Sequence, residues 1–472
     1  MHADELIHHI VAHFSHVPTA EQRQALRLFA NFLTDTDPRT AMILRGSAGT
    51  GKTTLAAAIV RALLALRQKL VLMAPTGRAA KVFANYSGHN AYTIHRRIYR
   101  QKTAATMSPF SLNANLATDT LFIVDEASMI STQGASDTFG SGNLLHDLIS
   151  YVYSGQGCRL MLIGDKAQLP PVGETESPAL RADVLSSYGL NVCQAELAEV
   201  LRQSQQSGIL WNATHLWDDE QALPKMRLQP FADIRSLPGD ELIEQLASSY
   251  SHAGLDDTIV ITRSNKRANI YNQGIRRTIL DREDELCRGD QLMIVKNNYH
   301  WTQQDKLTAQ AIPFLANGDR CLVQRVRNKR QMHGFTFADV TLTFPDYQQH
   351  ELSATLLLNT LTTDAPALTH EQQQQLYDSV MADYADIPLK AERIRQMRQD
   401  PFYNALQVKF GYAVTCHKAQ GGQWEHVYID QGYIAPDTAL NDYRRWLYTA
   451  MTRATSQLYL VNWPTEQTIA GE

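Results

Sequence analysis

The chain has 472 residues, 44% of them apolar and 19% charged, with a formal net charge of −4. This balance describes a soluble globular chain of two to four domains and excludes a disordered or fibrous one. It holds no run of 18 apolar residues, so no membrane-spanning helix is predicted, and its near-neutral charge excludes a surface that binds nucleic acid everywhere, although a groove needs only local positive charge.

The N-terminal stretch has Asp4 and Glu5 and no basic segment ahead of an apolar one, so it does not read as a secretory signal. Cys158, Cys193, Cys287, Cys321 and Cys416 are scattered without a C-x-x-C pair. That pattern argues against a zinc or iron–sulfur site and for a reducing, cytoplasmic location.

Short apolar runs at 41–44, 70–73, 121–124 and 160–163 alternate with helical stretches. They predict a parallel sheet with helices on both faces, in a first domain over residues 1–200. Residues 96–118 interrupt the alternation, and Ser108-Pro109-Phe110 marks a turn, so a projecting hairpin is expected there. An acidic helical region follows at 215–257, then a strand at 258–263 and a helix. From 318 to 344 the pattern alternates with period two, which suits a small antiparallel barrel inserted over 316–405. Residues 368–400 are polar and helical, and α/β character returns at 406–414 and 427–430. A second domain is therefore expected over 201–315 and 406–472.

Ligands of such sheets bind beyond the C-terminal strand ends. The run at 41–44 leads into Gly46-Ser47-Ala48-Gly49-Thr50-Gly51-Lys52-Thr53-Thr54, a G-x-x-x-x-G-K-T loop that opens a helix. Its glycines let backbone N–H groups turn onto phosphate oxygens; Lys52 reaches the β- and γ-phosphates and Thr53 ligates Mg²⁺. The run at 121–124 ends in Asp125-Glu126, placed to bind that Mg²⁺ and to polarise the attacking water. The run at 160–163 leads to Gln168 and Pro170-Pro171: an amide that can report the γ-phosphate, on a loop that two prolines stiffen. Basic clusters stand at His95-Arg96-Arg97, at Lys266-Arg267 with Arg276-Arg277, and at 325–330. Each is more often a solvated face than a binding site.

With these sites placed, the chain resembles the superfamily 1B DNA helicases, the RecD- and Dda-like branch, from Gln22 to about Leu460. The resemblance implies two RecA-like P-loop domains, with a hairpin insert in the first and an SH3-like β-barrel insert in the second. It implies ATP and Mg²⁺ as cofactors, single-stranded DNA and duplex junctions as partners, action as a monomer and 5′-to-3′ movement. Gln22 then corresponds to the adenine-reading glutamine. Pro75, Thr76, Gly77, Arg78, Thr93 and His95 match first-domain motifs that touch DNA, and Thr415, His417, Lys418 and Gln420 match those of the second. Arg202 and Arg453 match the arginines that enter the ATP site from the second domain. Phe110 matches the place of a duplex-splitting wedge. The family's fifth motif continues with serine and glutamate where this chain has Gly422-Gln423-Trp424, which leaves Gln423 as the ribose contact. An RNA helicase is the nearest alternative, and a nucleotide-dependent DNA-binding switch without unwinding the next. A GTPase is disfavoured, because Asn265-Lys266-Arg267-Ala268 lacks the acid of a guanine reader.

Overall fold

The computed structural model of the chain describes all residues except 1, 2, 15, 101–109, 134–139, 202–205, 313 and 470–472. The first half contains β1 (Thr40–Gly46), β2 (Lys69–Ala74), β3 (Ala91–Thr93), β4 (Tyr99–Arg100), β5 (Ser111–Leu112), β6 (Thr120–Val124), β7 (Arg159–Gly164) and β8 (Asn191–Leu197). Six of these form a sheet in the order β3-β2-β6-β7-β1-β8, with every pairing parallel. Successive residues of a strand point to opposite faces. Ala41 and Ile43 accordingly join Phe122, Val124, Leu160 and Leu162 in one core. Met42 and Leu44 join Leu121, Ile123, Met161 and the helix Lys52–Ala65 in the other. Burial on both faces is why these strands read as unbroken apolar runs. The edge strand β8 is half-exposed and mixed in composition, and no apolar run marks it in the sequence.

The interruption at 96–118 includes a short antiparallel pair, β4 with β5, where Tyr99 faces Leu112. Its expected tip, with Pro109, lies outside the described residues.

The second half contains β9 (Ile234–Leu237), β10 (Thr258–Thr262), β11 (Gln291–Ile294), β12 (Arg320–Met332), β13 (Phe335–Phe344), β14 (His350–Leu357), β15 (Leu406–Phe410), β16 (Ala413–Thr415), β17 (Trp424–Asp430) and β18 (Ala454–Val461). A second parallel sheet has the order β16-β10-β17-β18-β9. The chain therefore carries two RecA-like α/β domains.

Strands β11 to β15 close into a barrel. Closure takes two strands that lie outside the expected 316–405 insert: β11 and β15 pair antiparallel at Leu292 and Phe410. A barrel leaves no unpaired edge only if such flanking strands are recruited. Beneath it, Arg276 is 2% exposed and pairs with Asp290 at 3.0 Å, while Arg282 reaches the same carboxylate at 2.9 Å. Arg267 donates to Asp430 at 2.8 Å, Lys329 pairs with Glu285 at 2.6 Å and Arg330 with Asp339 at 2.9 Å. These basic residues thus serve ion pairs within the chain, fully buried at Arg276 and exposed at Lys329. The polar stretch at 368–400 forms the helices His370–Asp383 and Lys390–Met397, which cover Phe335, Phe337 and Leu357 on the outside of the barrel. Thr369 and Gln372 start the first of them as a capping box.

Candidate active site

The C-terminal ends of strands in the first sheet face the N-terminal ends of β9, β17 and β18 in the second across a cleft of about 430 Å³. The first domain contributes Ser47, Ala48, Gly49, Gly51, Lys52, Thr53, Asp125, Glu126 and Gln168 to its walls, and the second contributes Leu201, Gln423 and Arg453. The loop is braced from within. Lys52 Nζ donates to the Ser47 carbonyl at 2.8 Å and stands 3.9 Å from Asp165, and Thr50 Oγ1 donates to the same carbonyl at 2.8 Å. Gly46 and Gly51 are required by space: a Cβ on Gly46 would lie 2.8 Å from Thr50 Oγ1, and one on Gly51, at φ +82°, 2.4 Å from Gln22 Nε2. Thr54 follows Thr53 in the first turn of the helix and is not among the wall residues.

Asp125 and Glu126 stand at the tip of β6. Asp125 Oδ1 accepts from the Glu126 backbone N–H at 2.8 Å, and Glu126 adopts a left-handed φ of 53°. Burial pushes both carboxyls above their usual range, against the pull of Lys52 and Arg453. Arg453 is 3% exposed, and its Nη1 stands 3.8 Å from Glu126 Oε1. Gln168 lies between the two: with its amide turned so that the nitrogen faces the acid, it donates to Glu126 Oε2 at 3.3 Å and accepts from Arg453 Nη2 at 3.2 Å. Thr53 and Asp125 supply a hydroxyl and a carboxylate to one cleft. That donor set fits Mg²⁺, which usually takes one or two protein oxygens and fills its shell with phosphate and water.

Two further contacts join the domains. Tyr448 OH donates to Asp165 at 2.5 Å and accepts from the Ala48 N–H at 2.7 Å. Leu169, just past Gln168, is held at both backbone groups: its N–H donates to Thr449 Oγ1 at 2.8 Å, and its carbonyl accepts from Gln420 Nε2 at 2.7 Å.

A second cavity of about 360 Å³ runs beside the cleft, lined by Thr76, Arg78, His417, Lys418 and Gln420, with Val172, Asn317, Arg320 and Trp424. Thr76 caps the helix Gly77–Ser87 through its side chain, and Lys418 donates to Asn317. Burial, and then the charge of Lys409, push the Lys418 ammonium down to about 8.

Residues 18–229 match a family model described as an AAA domain, and residues 410–461 match the UvrD-like helicase C-terminal domain. The ATP-dependent DNA helicase dda of Enterobacteria phage T4 is 27% identical over 263 residues, covering 52% of this chain and 54% of that protein. The ATP-dependent RecD2 DNA helicase of Deinococcus radiodurans is 33% identical over 134 residues, 28% of this chain and 16% of that protein. The aligned part thus spans about half of the phage relative and a smaller share of the bacterial one. Among solved structures, Pif1 helicase from Bacteroides in complex with ADP-AlF3 and ssDNA is 14% identical, covers 97% of this chain and 95% of that one, and has a TM-score of 0.46.

This chain is a superfamily 1B DNA helicase. Most of the motif residues of this helicase meet in the two cavities, and several do not. Gln22 is fully buried. Its Oε1 accepts from the Thr19 N–H at 3.0 Å, and its Nε2 lies 3.4 Å from the Thr50 carbonyl. The amide thus braces the helix start and the phosphate loop here, and Gln22 is not a wall residue of the cleft. Arg202 lies outside the described residues. Thr93 caps the helix Ile94–Ile98, and Pro75 stands between the end of β2 and the helix cap Thr76. Thr415 sits at the end of β16, one residue before the helix Cys416–Ala419.

Two expectations for DNA contact are corrected. His95 packs 5.6 Å from the Tyr99 ring and 5.8 Å from Phe314, and burial pushes its imidazole down to about 4. The half-buried ring packs in an aromatic cluster and is not among the residues that line the groove. Phe110 is 6% exposed, with its ring 4.9 Å from Tyr299 and 6.0 Å from Phe314. It closes an aromatic core between the hairpin and the connection from β11 to β12 of the barrel, so it is not the exposed edge a wedge needs.

The departure at Gly422-Gln423-Trp424 has a steric reason. A Cβ on Gly422 would lie 2.2 Å from the Trp424 ring, which leaves no room for the family's serine. Arg78 stacks over that ring at 4.7 Å and donates to the Gln423 carbonyl at 2.6 Å. Asp165, Tyr448, Thr449 and Trp424 stand close in sequence to predicted site residues and take their roles only from the fold. Tyr86, Asn317 and Arg320 had no sequence signal.

Proposed function

We propose that this helicase hydrolyses ATP with Mg²⁺ in the cleft between its RecA-like domains, moves 5′ to 3′ along single-stranded DNA held in the adjoining groove, and separates the duplex ahead. The observation that carries this reading is the triangle of Glu126, Gln168 and Arg453. An arginine from the second domain meets the water-polarising acid of the first, so hydrolysis depends on domain closure. Gln168 reads that contact, and the next residue, Leu169, is held by Gln420 and Thr449 from the second domain. Gln420 also lines the groove with His417 and Lys418, so a step at phosphate is linked to the grip on the strand. The 5′-to-3′ polarity, and action as a monomer at duplex junctions, are supported by the resemblance to Dda and RecD relatives.

Lys52 would hold the β- and γ-phosphates, Thr53 and Asp125 the metal ion, and Gln423 the ribose. The bound Mg²⁺ supplies charge neutralisation of the phosphates. A backbone grip serves ribose strands as well, so RNA is the second substrate to test. The deciding experiment is unwinding of duplexes with a 5′ or a 3′ tail, in DNA and RNA, with ATPase followed in parallel. ATPase stimulated by single-stranded DNA and unwinding from the 5′ tail are expected. ATPase indifferent to DNA would overturn the reading.

A further inference from the structure

We infer that Tyr86 is a positioning residue that holds the metal-binding carboxylate of Asp125 and conveys the occupancy of the DNA groove to it. Tyr86 lies in the last turn of the helix Gly77–Ser87 and lines the nucleotide cleft. Its hydroxyl donates to Asp125 Oδ2 at 2.5 Å, while the Glu126 N–H takes Oδ1 at 2.8 Å. Both oxygens are thereby directed, and the second lone pair of each stays open for a metal ion. The ring packs 5.1 Å from that of the fully buried Phe83.

The same helix begins at the other cavity. Thr76, which caps it, and Arg78, in its first turn, line the DNA groove. At 1.5 Å per residue, Gly77 and Tyr86 are roughly 14 Å apart along one helix axis. The helix is fixed at both ends, by Thr76 accepting from the Ala79 N–H at 3.2 Å and by the Gly88 N–H donating to Ala84 at 2.9 Å. Arg61, from the helix that follows the phosphate loop, donates to the Tyr86 carbonyl at 3.0 Å. A strand pulling on Thr76 and Arg78 therefore moves a rigid rod whose far end is hydrogen-bonded to Asp125. Lys81 on the same rod pairs with Asp346 of the barrel segment at 3.3 Å, so the insert bears on it as well. The motif chemistry assigns Asp125 to the metal but gives it no link to the strand; Tyr86 supplies one.

The inference rests on the proposed ATP-driven motion along DNA, and its test separates the two. Wild-type protein judges the motor: its ATPase should rise with single-stranded DNA. Y86F judges the tyrosine, since it removes one oxygen and keeps the ring on Phe83. Two readouts are compared with wild type: the Mg²⁺ concentration for half-maximal binding of a fluorescent ADP analogue, without DNA, and the ratio of DNA-stimulated to basal ATPase. The first should rise at least threefold and the second fall at least threefold, with nucleotide binding in EDTA unchanged. In a D125N background, Y86F should add nothing to either. Unchanged half-saturation and stimulation in a folded Y86F protein would overturn the inference. So would an equal loss of nucleotide binding with and without Mg²⁺, which marks a merely structural role.

Discussion

Arg453 and Glu126 stand 3.8 Å apart across the interdomain cleft, with the Gln168 amide within hydrogen-bonding reach of both. The acid sits on the first sheet and the arginine on the helix–strand turn of the second, so neither domain alone holds the pair. R453A should lower DNA-stimulated kcat by about 10³–10⁵. E126Q should fall in the same direction while binding of an ATP analogue stays within a few-fold of wild type. Steady-state ATPase with titration of the analogue checks both. A loss confined to analogue affinity would remove the catalytic assignment.

Lys418 titrates near the working pH, because burial and the nearby charge of Lys409 push it down to about 8. Its ammonium is present below that value and lost above it. Affinity for single-stranded DNA should therefore fall between pH 7 and pH 9, more steeply than in K418A. K418A should also reduce the slope of log K against log salt by about 0.7, the value for one phosphate contact on a single strand. Fluorescence anisotropy over pH and salt measures both.

Asp319 gives a second pH signature, read in stability rather than in affinity. It is 4% exposed, and burial pushes its carboxyl up to about 7, with Asp346 adding repulsion against hydrogen bonds from Ala316 and Tyr347. An unfolded aspartate titrates near 3.9. The folded chain holds the proton more tightly, so this contribution to stability is full below about pH 4 and is lost as pH rises to about 7. The span is on the order of 4 kcal/mol at most. D319N should flatten the decline. Urea melts of both proteins from pH 4 to pH 8 test this, and parallel curves would reject it.

Phe110 belongs to a core, and its removal should act on stability first. F110A should cost about 3–5 kcal/mol in the unit that unfolds with it. F110L, which refills much of the volume, should recover most of the Tm and the unwinding rate. If F110A kept the wild-type Tm and lost only unwinding, the wedge assignment would stand after all.

The nucleotide machinery was legible in the sequence because its chemistry is local. A glycine loop between strand and helix, and acids at a strand tip, place Lys52, Thr53, Asp125 and Glu126 by chain geometry alone, and the structure puts all four in one cleft. The unbroken apolar runs gave the parallel sheet for the same reason, since burial on both faces is written into consecutive residues. The half-exposed β8 and the two closing strands of the barrel left no such mark.

Tertiary structure decided everything that depends on residues far apart in the chain. His95 and Phe110 carry side chains suited to DNA, yet Phe110 is buried against Tyr299 and Phe314, and His95 packs half-buried against Tyr99 and Phe314. Tyr86 looks like one more aromatic on a helix until that helix sets its hydroxyl on Asp125. Gly422 looks like a lost serine until the Trp424 ring is seen to fill the space. The sequence determines which groups can do the chemistry; packing determines which of them are left free to do it, because a side chain committed to a core or an internal ion pair cannot also bind a strand.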